Sequence, residues 1–460
     1  MPLILPGNVA SATSGGFSVD NSCRFDRASS IKLERTPGSA GNRRTFTFSC
    51  WFKLGNLASS VSDYIQIFGG FDGTGNEGLF ITDADQFYLF MEGTNALISN
   101  LKLRDPSAWY HVVMAVDTTN GTADNRCRLY LNGSEITSFS ARSNPTQNYD
   151  SGVNNTVVQN IGERIDDDYF DGYMAEVVLI DGLQLTPTSF GEFDEDSPTI
   201  WKPIDVSGLT FGTNGFYLSF SDSADLGADS SGNSNDFTST NLAATDQATD
   251  TPTNNFCTMN PLVPTTNITF SEGNCKMVTH VSSDTYGGGI GTFGLTAGKW
   301  YWEIKMASLL GNHTHGVISE LTAELYQNVT GLHNDTGVTT FWNDDGGEMI
   351  KDGSYTTADY GTLDDGDILG IAFNADDNQI SFYDNGALIV DGYTISTTRG
   401  TLFPLITTGI NTTSEVNFGG CSGFTVSSAA NDENGYGVFE IAPPSGYLAL
   451  CSKNLGSDGG

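Results

Sequence analysis

The sequence has few basic residues. Its 460 residues include 20 Lys and Arg against 55 Asp and Glu, which gives a formal net charge of −35 and a pI of about 4.1. Such a chain repels nucleic acid and anionic lipid, so we expect no nucleic-acid partner. Because the acidic residues are scattered through turns, they fit either a solvated surface in salty water or sites for divalent cations.

Long apolar runs and a basic leader are also missing. No segment approaches the ~18 apolar residues of a membrane-spanning helix, so we expect no membrane insertion. The opening residues, MPLILPGNVASATSGG, lack the basic start of a signal peptide and contain two prolines. We expect folding in a cytoplasm, with release by lysis if the protein acts outside a cell.

The seven cysteines form no CxxC pair, and their number is odd. In a chain of this length, wide and uneven spacing predicts buried reduced thiols and no disulfide framework or zinc site.

Helical periodicity is almost absent, whereas strand alternation is frequent. TFTFSCWFKLG (45–55) places Phe46, Phe48, Cys50 and Phe52 on one face and Trp51 on the other. Many short strands separated by Gly, Asn and Asp turns predict an all-β chain of sandwiches or barrels.

The first 200 residues resemble laminin-G-like, concanavalin-A-type jelly rolls. Four landmarks occur in order: SIKLERTPGSAGNRRTFTFSCWFK (30–53), WYHVV (109–113), LYLNG (129–133) and FDGYMAEVVLID (170–181). The resemblance implies a β-sandwich over 1–200, with one helical turn at LTPTSFGEF (185–193). Residues 201–265, rich in Ser, Thr, Asn and Asp, are predicted to be an irregular connector that packs partly on this domain.

Residues 266–425 resemble a SPRY domain, a second β-sandwich that is used for recognition. The resemblance rests on GKWYWEIK (298–305), the hairpin GDILGIAFNADDNQISFYDNGALI (366–389), LFPLITTG (402–409) and VNFGG (416–420). Trp300 and Trp302 are expected to fill its core. The stretch 306–345 departs from the family pattern and is predicted to form loops, and 426–460 is predicted to be a tail segment.

The layout of the two sandwiches resembles virion structural proteins of tailed bacteriophages, notably those of marine bacteria. It implies a non-enzymatic protein of the virion surface, such as a tail-fibre-like, head-fibre or knob component, which binds host-surface glycan or protein. The expected partners are other virion proteins and the host receptor, and a homo-trimer would suit such an appendage. The alternative is a purely architectural decoration or cement protein that binds only other virion proteins.

No cofactor is required by this interpretation, but calcium is a candidate ion. Asp166, Asp167, Asp168 and Asp171 crowd a loop before a predicted strand, and clustered carboxylates are the ligands that Ca²⁺ needs. Laminin-G-like domains often bind calcium at a sheet rim. A weaker acidic group lies downstream and consists of Asp222, Asp225 and Asp229. The alternative for both groups is a solvated loop.

Two further sets of side chains are candidate binding sites. A platform for stacking a sugar is predicted from one loop-like segment and two nearby tyrosines: Trp342, Asn343, Asp344, Asp345, Tyr355 and Tyr360. The pair His313 and His315 would lie on one side of an extended strand, but no third metal ligand is apparent.

Catalysis is not predicted. Laminarinase-like members of the concanavalin-A-type superfamily carry ExDxxE on one strand, and in the nearest approach here, EFDEDS (192–197), Ser197 replaces the second Glu. No GxSxG, HExxH or phosphate-binding loop is present. A carbohydrate-active enzyme stays as the third alternative, since carboxylates can also be assembled from distant strands.

Overall fold

The structure is a computed structural model that is nearly all β, which confirms the predicted fold class. It describes residues 16–61, 63–71, 75–164, 167–262, 268–280, 287–308, 313–319, 337–342, 347–396, 400–409 and 412–458. The chain divides into two compact units between residues 253 and 254, here called the N-terminal unit (Thr13–Thr253) and the C-terminal unit (Asn254–Gly460). Among the described residues, no helix has the length and apolar character needed to cross a membrane.

The N-terminal unit contains one short helix, α1 (Ala58–Val61), and single 3-10 turns, one of which is Pro187–Ser189 in the predicted helical turn. Its described strands are β1 (Ser22–Phe25), β2 (Lys32–Arg35), β3 (Thr45–Leu54), β4 (Ile65–Phe71), β5 (Asn76–Ile81), β6 (Gln86–Met91), β7 (Thr94–Lys102), β8 (Trp109–Asp117), β9 (Cys127–Leu131), β10 (Ser134–Glu135), β11 (Phe139–Arg142), β12 (Val158–Ile161), β13 (Gly172–Asp181), β14 (Gly191–Phe193), β15 (Trp201–Pro203), β16 (Phe216–Leu218), β17 (Thr238–Thr240) and β18 (Gln247–Ala248).

Two large antiparallel sheets form this unit. Sheet A has the order β10-β9-β8-β3-β13-β1-β18, with β16 also paired to β13, and sheet B has the order β11-β7-β6-β5-β4-β12-β2-β17. The rings of Phe48 on sheet A and Phe68 on sheet B stack at 4.4 Å between centroids, which places the core between the sheets. Phe46, Phe48, Cys50 and Phe52 are fully buried there, as their alternation predicted. Trp51 points to the opposite face and is also buried, packed near Trp201.

Residues 201–253 belong to the N-terminal unit, although the sequence indicated a partly flexible connector over 201–265. β16 pairs with β13, β17 pairs with β2 and β18 pairs with β1, so the segment extends both sheets. Buried ion pairs hold it, with Arg24 Nη2 2.9 Å from Asp246 Oδ1 and Lys53 Nζ 2.7 Å from Asp250 Oδ2. Residues 254–262 belong to the C-terminal unit.

Among its described residues, the C-terminal unit has one helix, α2 (Ser452–Asp458). Its described strands are β19 (Ile268–Ser271), β20 (Lys276–Thr279), β21 (Gly287–Ile290), β22 (Lys299–Ser308), β23 (His313–Ser319), β24 (Val338–Trp342), β25 (Glu348–Lys351), β26 (Ser354–Tyr355), β27 (Ile368–Asn374), β28 (Gln379–Asp384), β29 (Ala387–Thr394), β30 (Leu402–Thr408), β31 (Thr413–Asn417), β32 (Ala430–Asn431), β33 (Val438–Phe439) and β34 (Leu448–Ala449).

Sheet C has the order β19-β20-β31-β22-β27-β28-β29, and sheet D has the order β21-β30-β23-β24-β25-β26. Trp300 and Trp302 are fully buried in the core of this unit, as predicted. The expectation of loops over 306–345 is wrong in part, because β23 and β24 are internal strands of sheet D. The tail is not separate either, since β34 pairs in parallel with β22.

The buried carboxylate of Glu303 on sheet C forms hydrogen bonds with the backbone of the tail segment. Glu303 accepts hydrogen bonds from the backbone N–H groups of Ile441 at 2.7 Å and Glu440 at 3.0 Å, and from Asn417 Nδ2 at 3.1 Å. Its burial raises its pKa to about 7 in spite of these donors.

Replacing Glu303 by Ala is expected to destabilise the attachment of the tail, because two buried backbone donors lose their acceptor at a cost of about 1–3 kcal/mol each. Hydrogen exchange at the amides of Glu440 and Ile441 should become at least tenfold faster. Replacing Glu433, an exposed carboxylate that accepts one backbone hydrogen bond from Gly446, should leave exchange at 440–441 unchanged. Equal protection in the two variants would contradict this role of Glu303.

All seven cysteines lie among the described residues, and none of them forms a disulfide bond. Six of them are buried and Cys421 is partly exposed, in agreement with the predicted core thiols.

Candidate functional site

One face of sheet B carries amide and aromatic side chains in adjacent rows. In an antiparallel sheet, residues directly opposite each other share a face. Gln66 is paired with Phe80, and Phe80 with Tyr88, so these three form one row across β4, β5 and β6. Leu79 and Leu89, which are the next pair along, point into the core instead. The row therefore lies on the side of sheet B that faces away from the core.

Glycines form the middle of the adjacent row. Asn160 is paired with Gly69, Gly69 with Gly78, and Gly78 with Phe90. A Cβ atom at Gly69 would lie 2.8 Å from Gln66 Nε2 and 3.2 Å from Asn76 Oδ1. Because Gly69 has no side chain, the amide groups of Gln66 and Asn76 can occupy the space above its Cα atom. We call Gln66, Asn76, Asn160, Phe80, Tyr88 and Phe90 the amide–aromatic face.

The three amides of this face are buried and only half satisfied. Asn76 Nδ2 donates to Gln66 Oε1, and Asn160 Nδ2 donates to Glu163 Oε1. The other ends of these groups, Gln66 Nε2, Asn76 Oδ1 and Asn160 Oδ1, have no hydrogen-bond partner in the described part of the chain. Since buried polar groups normally find partners, one donor and two acceptors on one face indicate a place where a polar ligand binds.

Aromatic rings border the amides. The ring centroid of Tyr88 lies 5.6 Å from that of Phe80, 5.8 Å from that of Tyr64 and 5.9 Å from that of Phe90. Phe80 is buried, whereas Tyr88 and Phe90 are partly exposed. Burial raises the pKa of Tyr88 to about 12, so its hydroxyl keeps its proton at neutral pH and can donate a hydrogen bond.

An acidic cluster lies beside this row. Carboxylate oxygens of Asp63, Asp167 and Asp168 all lie within 4.8 Å of one another. The Asp168 carbonyl accepts the N–H of Gln66 at 2.9 Å, which fixes the cluster at the edge of the amide–aromatic face. Arg27 Nη2 lies 2.5 Å from Asp63 Oδ2, and Arg164 Nε lies 2.9 Å from Asp168 Oδ2. Two guanidinium groups thus balance part of the negative charge.

The cluster holds a proton more strongly than ordinary carboxylates do. Burial raises the pKa of Asp168 to about 7, and the adjacent Asp63 adds to this increase. Burial also opposes ionisation of Asp63, but hydrogen bonds to Arg27 and Asp168 give it a net lowered pKa. At neutral pH, Asp63 is therefore ionised while Asp168 is close to half-protonated.

The structure brings together only part of the predicted calcium set. Asp167 and Asp168 lie close to Asp63. No local sequence pattern links Asp63 to the predicted calcium ligands, because it lies about a hundred residues earlier in the chain. Asp171 is outside this group, buried with Oδ2 2.5 Å from Asn56 Nδ2, and burial raises its pKa to about 7. Asp166 lies outside the described residues.

The second acidic group consists of turn-forming residues. Asp222 accepts the backbone N–H of Ala224, Asp225 accepts that of Gly227, and Asp229 accepts those of Tyr217 and Ser231. Of the described acidic, His and Cys residues, only Asp63, Asp167 and Asp168 form a group of three with metal-ligand spacing. The hydrogen bonds of the second group are those of Asx turns.

The predicted sugar platform is only partly described. Tyr355 is 41 % exposed on β26, at the edge of sheet D. Tyr360 is partly buried and packs against the core of the C-terminal unit. The backbone of Trp342 pairs with Thr314 and Glu348, while Asn343, Asp344 and Asp345 lie outside the described residues.

Comparison with known proteins finds one family match within each unit. Residues 26–188 match the family described as the concanavalin A-like lectin/glucanases superfamily, and residues 299–421 match the SPRY domain family. No curated protein matches the chain in sequence. Neither match identifies an enzyme family, although the first description names glucanases beside lectins.

Solved structures similar to the chain include the SPRY domain of human HERC1, which is 15 % identical in sequence with a TM-score of 0.26. The similarity covers 34 % of this chain and 96 % of that domain. They also include a putative carbohydrate-binding protein from Bacteroides ovatus, with 17 % identity and a TM-score of 0.31 over 45 % of this chain and 53 % of that one. The chain thus contains two β-sandwich regions, one that matches the concanavalin A-like superfamily over residues 26–188 and, after it, one that matches the SPRY domain over residues 299–421.

Proposed function

We propose that this chain is a non-enzymatic surface protein of a tailed-phage virion, and that its N-terminal unit binds a host-surface glycan on the amide–aromatic face. The observation that carries the glycan proposal is the set of three buried amide atoms without partners, Gln66 Nε2, Asn76 Oδ1 and Asn160 Oδ1. A family match that includes lectins supports the same function.

A sugar offers the groups that this face lacks. Its hydroxyls donate and accept hydrogen bonds, so they can pair with the Gln66 donor and with the Asn76 and Asn160 acceptors. Its apolar C–H surface can lie on the partly exposed rings of Tyr88 and Phe90. A few fixed polar groups beside aromatic rings are the usual composition of small-ligand sites.

The virion location rests on the layout of the two domains and on the acidic composition. A SPRY domain suits binding to a protein, and in this proposal it contacts either other virion proteins or a host receptor. Its residues Trp342, Asn343, Asp344, Asp345, Tyr355 and Tyr360 stay a second candidate for sugar stacking. The assembled protein, as a homo-trimer, would stand on the particle surface after release by lysis.

A glycan array and whole host cells separate the alternatives. The proposal predicts that the purified chain binds at least one host-surface glycan and the intact cells. A chain that binds phage particles but neither glycan nor cells would be a decoration or cement protein. Release of reducing sugar from a host polysaccharide would instead show the carbohydrate-active enzyme.

We further propose that Ca²⁺ binds at the acidic cluster, with Asp63, Asp167 and Asp168 as ligands and with the adjacent Asp166 as a further candidate. Carboxylate oxygens within 4.8 Å of one another can share one hard cation. Arg27 and Arg164 compete with that ion for the carboxylates. Bound calcium would order the edge of the amide–aromatic face, because Asp168 is hydrogen-bonded to Gln66.

Calcium affinity is expected to rise with pH. The folded pKa of Asp168 is about 7 against an ordinary value of 3.8, so Ca²⁺ must displace a proton below neutrality. From about pH 6 to about pH 8 the affinity should rise about tenfold, and binding should release protons. Calcium titration by calorimetry at the two pH values measures this.

Two variants control the calcium prediction. Replacing Asp168 by Asn should remove the pH dependence together with most of the affinity, whereas replacing Arg164 by Gln should strengthen binding by removing a competing cation. An affinity that is independent of pH, or unchanged in the Asp168 variant, would contradict the site.

A further inference from the structure

Two histidines of the C-terminal unit point into the core between its sheets. His315 is paired with Phe341 on β24 and with Ile406 on β30, and both of these partners belong to the hydrophobic core. His313 lies two residues earlier on β23 and so shares the same face. Both side chains are fully buried.

Neither imidazole has a hydrogen-bond partner. The Nδ1 and Nε2 atoms of both rings are buried and unpaired within the part of the chain that the structure describes. A neutral imidazole has one N–H donor and one acceptor nitrogen, so four nitrogens of this pair lack the partners that buried polar atoms normally have. Burial lowers the pKa of His313 to about 4 and holds that of His315 well below its ordinary value, so burial favours the neutral rings, each with a free lone pair.

The two rings are neighbours on one face of β23. Their centroids lie 5.6 Å apart with an interplanar angle of 50°. A metal binds imidazole nitrogen at about 2.0–2.1 Å, so rings at this separation can share one ion when a nitrogen of each turns toward it. Neutral imidazole is also the commonest protein ligand of transition metals.

We propose that His313 and His315 bind a single Cu⁺ ion inside the SPRY-like sandwich. The choice of ion follows from what surrounds the pair. No third Asp, Glu, Cys or His among the described residues lies within metal-ligand distance of both rings. A structural Zn²⁺ site needs four ligands and brings two positive charges into the core, whereas Cu⁺ accepts two or three ligands and brings one.

The immediate surroundings also favour a soft monovalent ion. His315 is paired with Phe341 and Ile406, whose side chains are apolar, and the core cluster that contains these two residues also contains the thioether of Met306. The charge of the Asp365 carboxylate raises the pKa of His313, but this carboxylate is exposed and does not enter the core. A divalent ion would therefore lack a buried countercharge.

The test is an anaerobic Cu⁺ titration of the full chain against bicinchoninate, a chromogenic chelator. A Cys421→Ser background is used, because Cys421 is the partly exposed thiol and would bind copper by itself. We expect one Cu⁺ per chain and a higher melting temperature with copper. The X-ray absorption edge of the bound ion should be that of Cu⁺ with nitrogen ligands.

Three variants complete the test. The double variant His313→Leu/His315→Leu, which fills the space with apolar groups, and the single variant His313→Leu should each weaken binding at least tenfold while keeping the circular dichroism spectrum of the parent. Replacing His280, an exposed histidine bonded to Thr269, by Ala should change nothing. Equal copper binding in the double variant, no binding in the parent, or tighter binding of Zn²⁺ than of Cu⁺ through these histidines would each overturn the proposal.

Discussion

Replacing Asp250 by Ala is expected to lower the melting temperature of the N-terminal unit by roughly 6–20 °C. Asp250 Oδ2 lies 2.7 Å from Lys53 Nζ, Asp250 Oδ1 accepts the Trp109 indole N–H at 2.9 Å, and the side chains of Asp250 and Lys53 are almost fully buried. The variant removes the carboxylate that pairs with the buried Lys53 ammonium. Removing one partner of a buried ion pair costs about 3–5 kcal/mol, and in a unit of this size each kcal/mol corresponds to about 2–4 °C.

Calorimetry of the variant is compared with two controls. Asp20→Asn, which changes an exposed carboxylate, should shift the melting temperature by less than about 2 °C. The double variant Lys53→Met/Asp250→Leu, which removes both charges, should recover most of the stability lost in the single variant. If the single and double variants are equally unstable, the ion pair is not what holds residues 201–253 to the unit.

Replacing Gln66 by Met and Asn76 by Leu together is expected to weaken glycan binding strongly without loss of stability. Gln66 Oε1 and Asn76 Nδ2 satisfy each other, so removing both leaves no unpaired partner, while the free Gln66 Nε2 and Asn76 Oδ1 disappear with them. Two lost ligand hydrogen bonds, at about 0.5–1.5 kcal/mol each, predict an affinity roughly 5- to 150-fold weaker. The melting temperature should stay equal or increase, because buried unpaired polar atoms destabilise a fold.

Calorimetric titration with a glycan that binds the parent chain measures the affinity. Gln147→Met is the matched control, because Gln147 is exposed and donates to the Thr119 carbonyl far from β4 and β5 in sequence. Lower stability with unchanged affinity in the double variant would show that the amide pair is structural and is not a ligand site.

Alternation of side chains predicted the fold well. The period-two pattern correctly predicted one core face made of Phe46, Phe48, Cys50 and Phe52, and it placed Trp300 and Trp302 in a core. Such a pattern can be recognised because it depends only on local sequence. The strands β23 and β24 were missed because His, Thr and Gly occupy positions where the pattern favours apolar residues. The sequence of 201–253 favoured a connector, because local sequence does not show that this segment pairs with β1, β2 and β13, which lie far away in the chain.

The candidate site could be predicted only in part. The crowded acidic loop with Asp167 and Asp168 was visible in the sequence, since those residues are adjacent. Asp63 and the amides of β4, β5 and β12 come from separate strands, and only the register of sheet B places them on one face. No spacing within a single segment carries that information, and the absence of partners for the buried amides is a property of the folded chain alone.

The proposed virion surface location is tested most directly by immunogold electron microscopy of phage particles from the source of this chain, with antibody raised to the purified protein. The account predicts gold on the surface of intact particles. Gold at the tail end would fit attachment through the amide–aromatic face, and gold over the head would fit a head fibre. Particles that carry no gold, while the same antibody detects the protein in the infected lysate, would contradict the account.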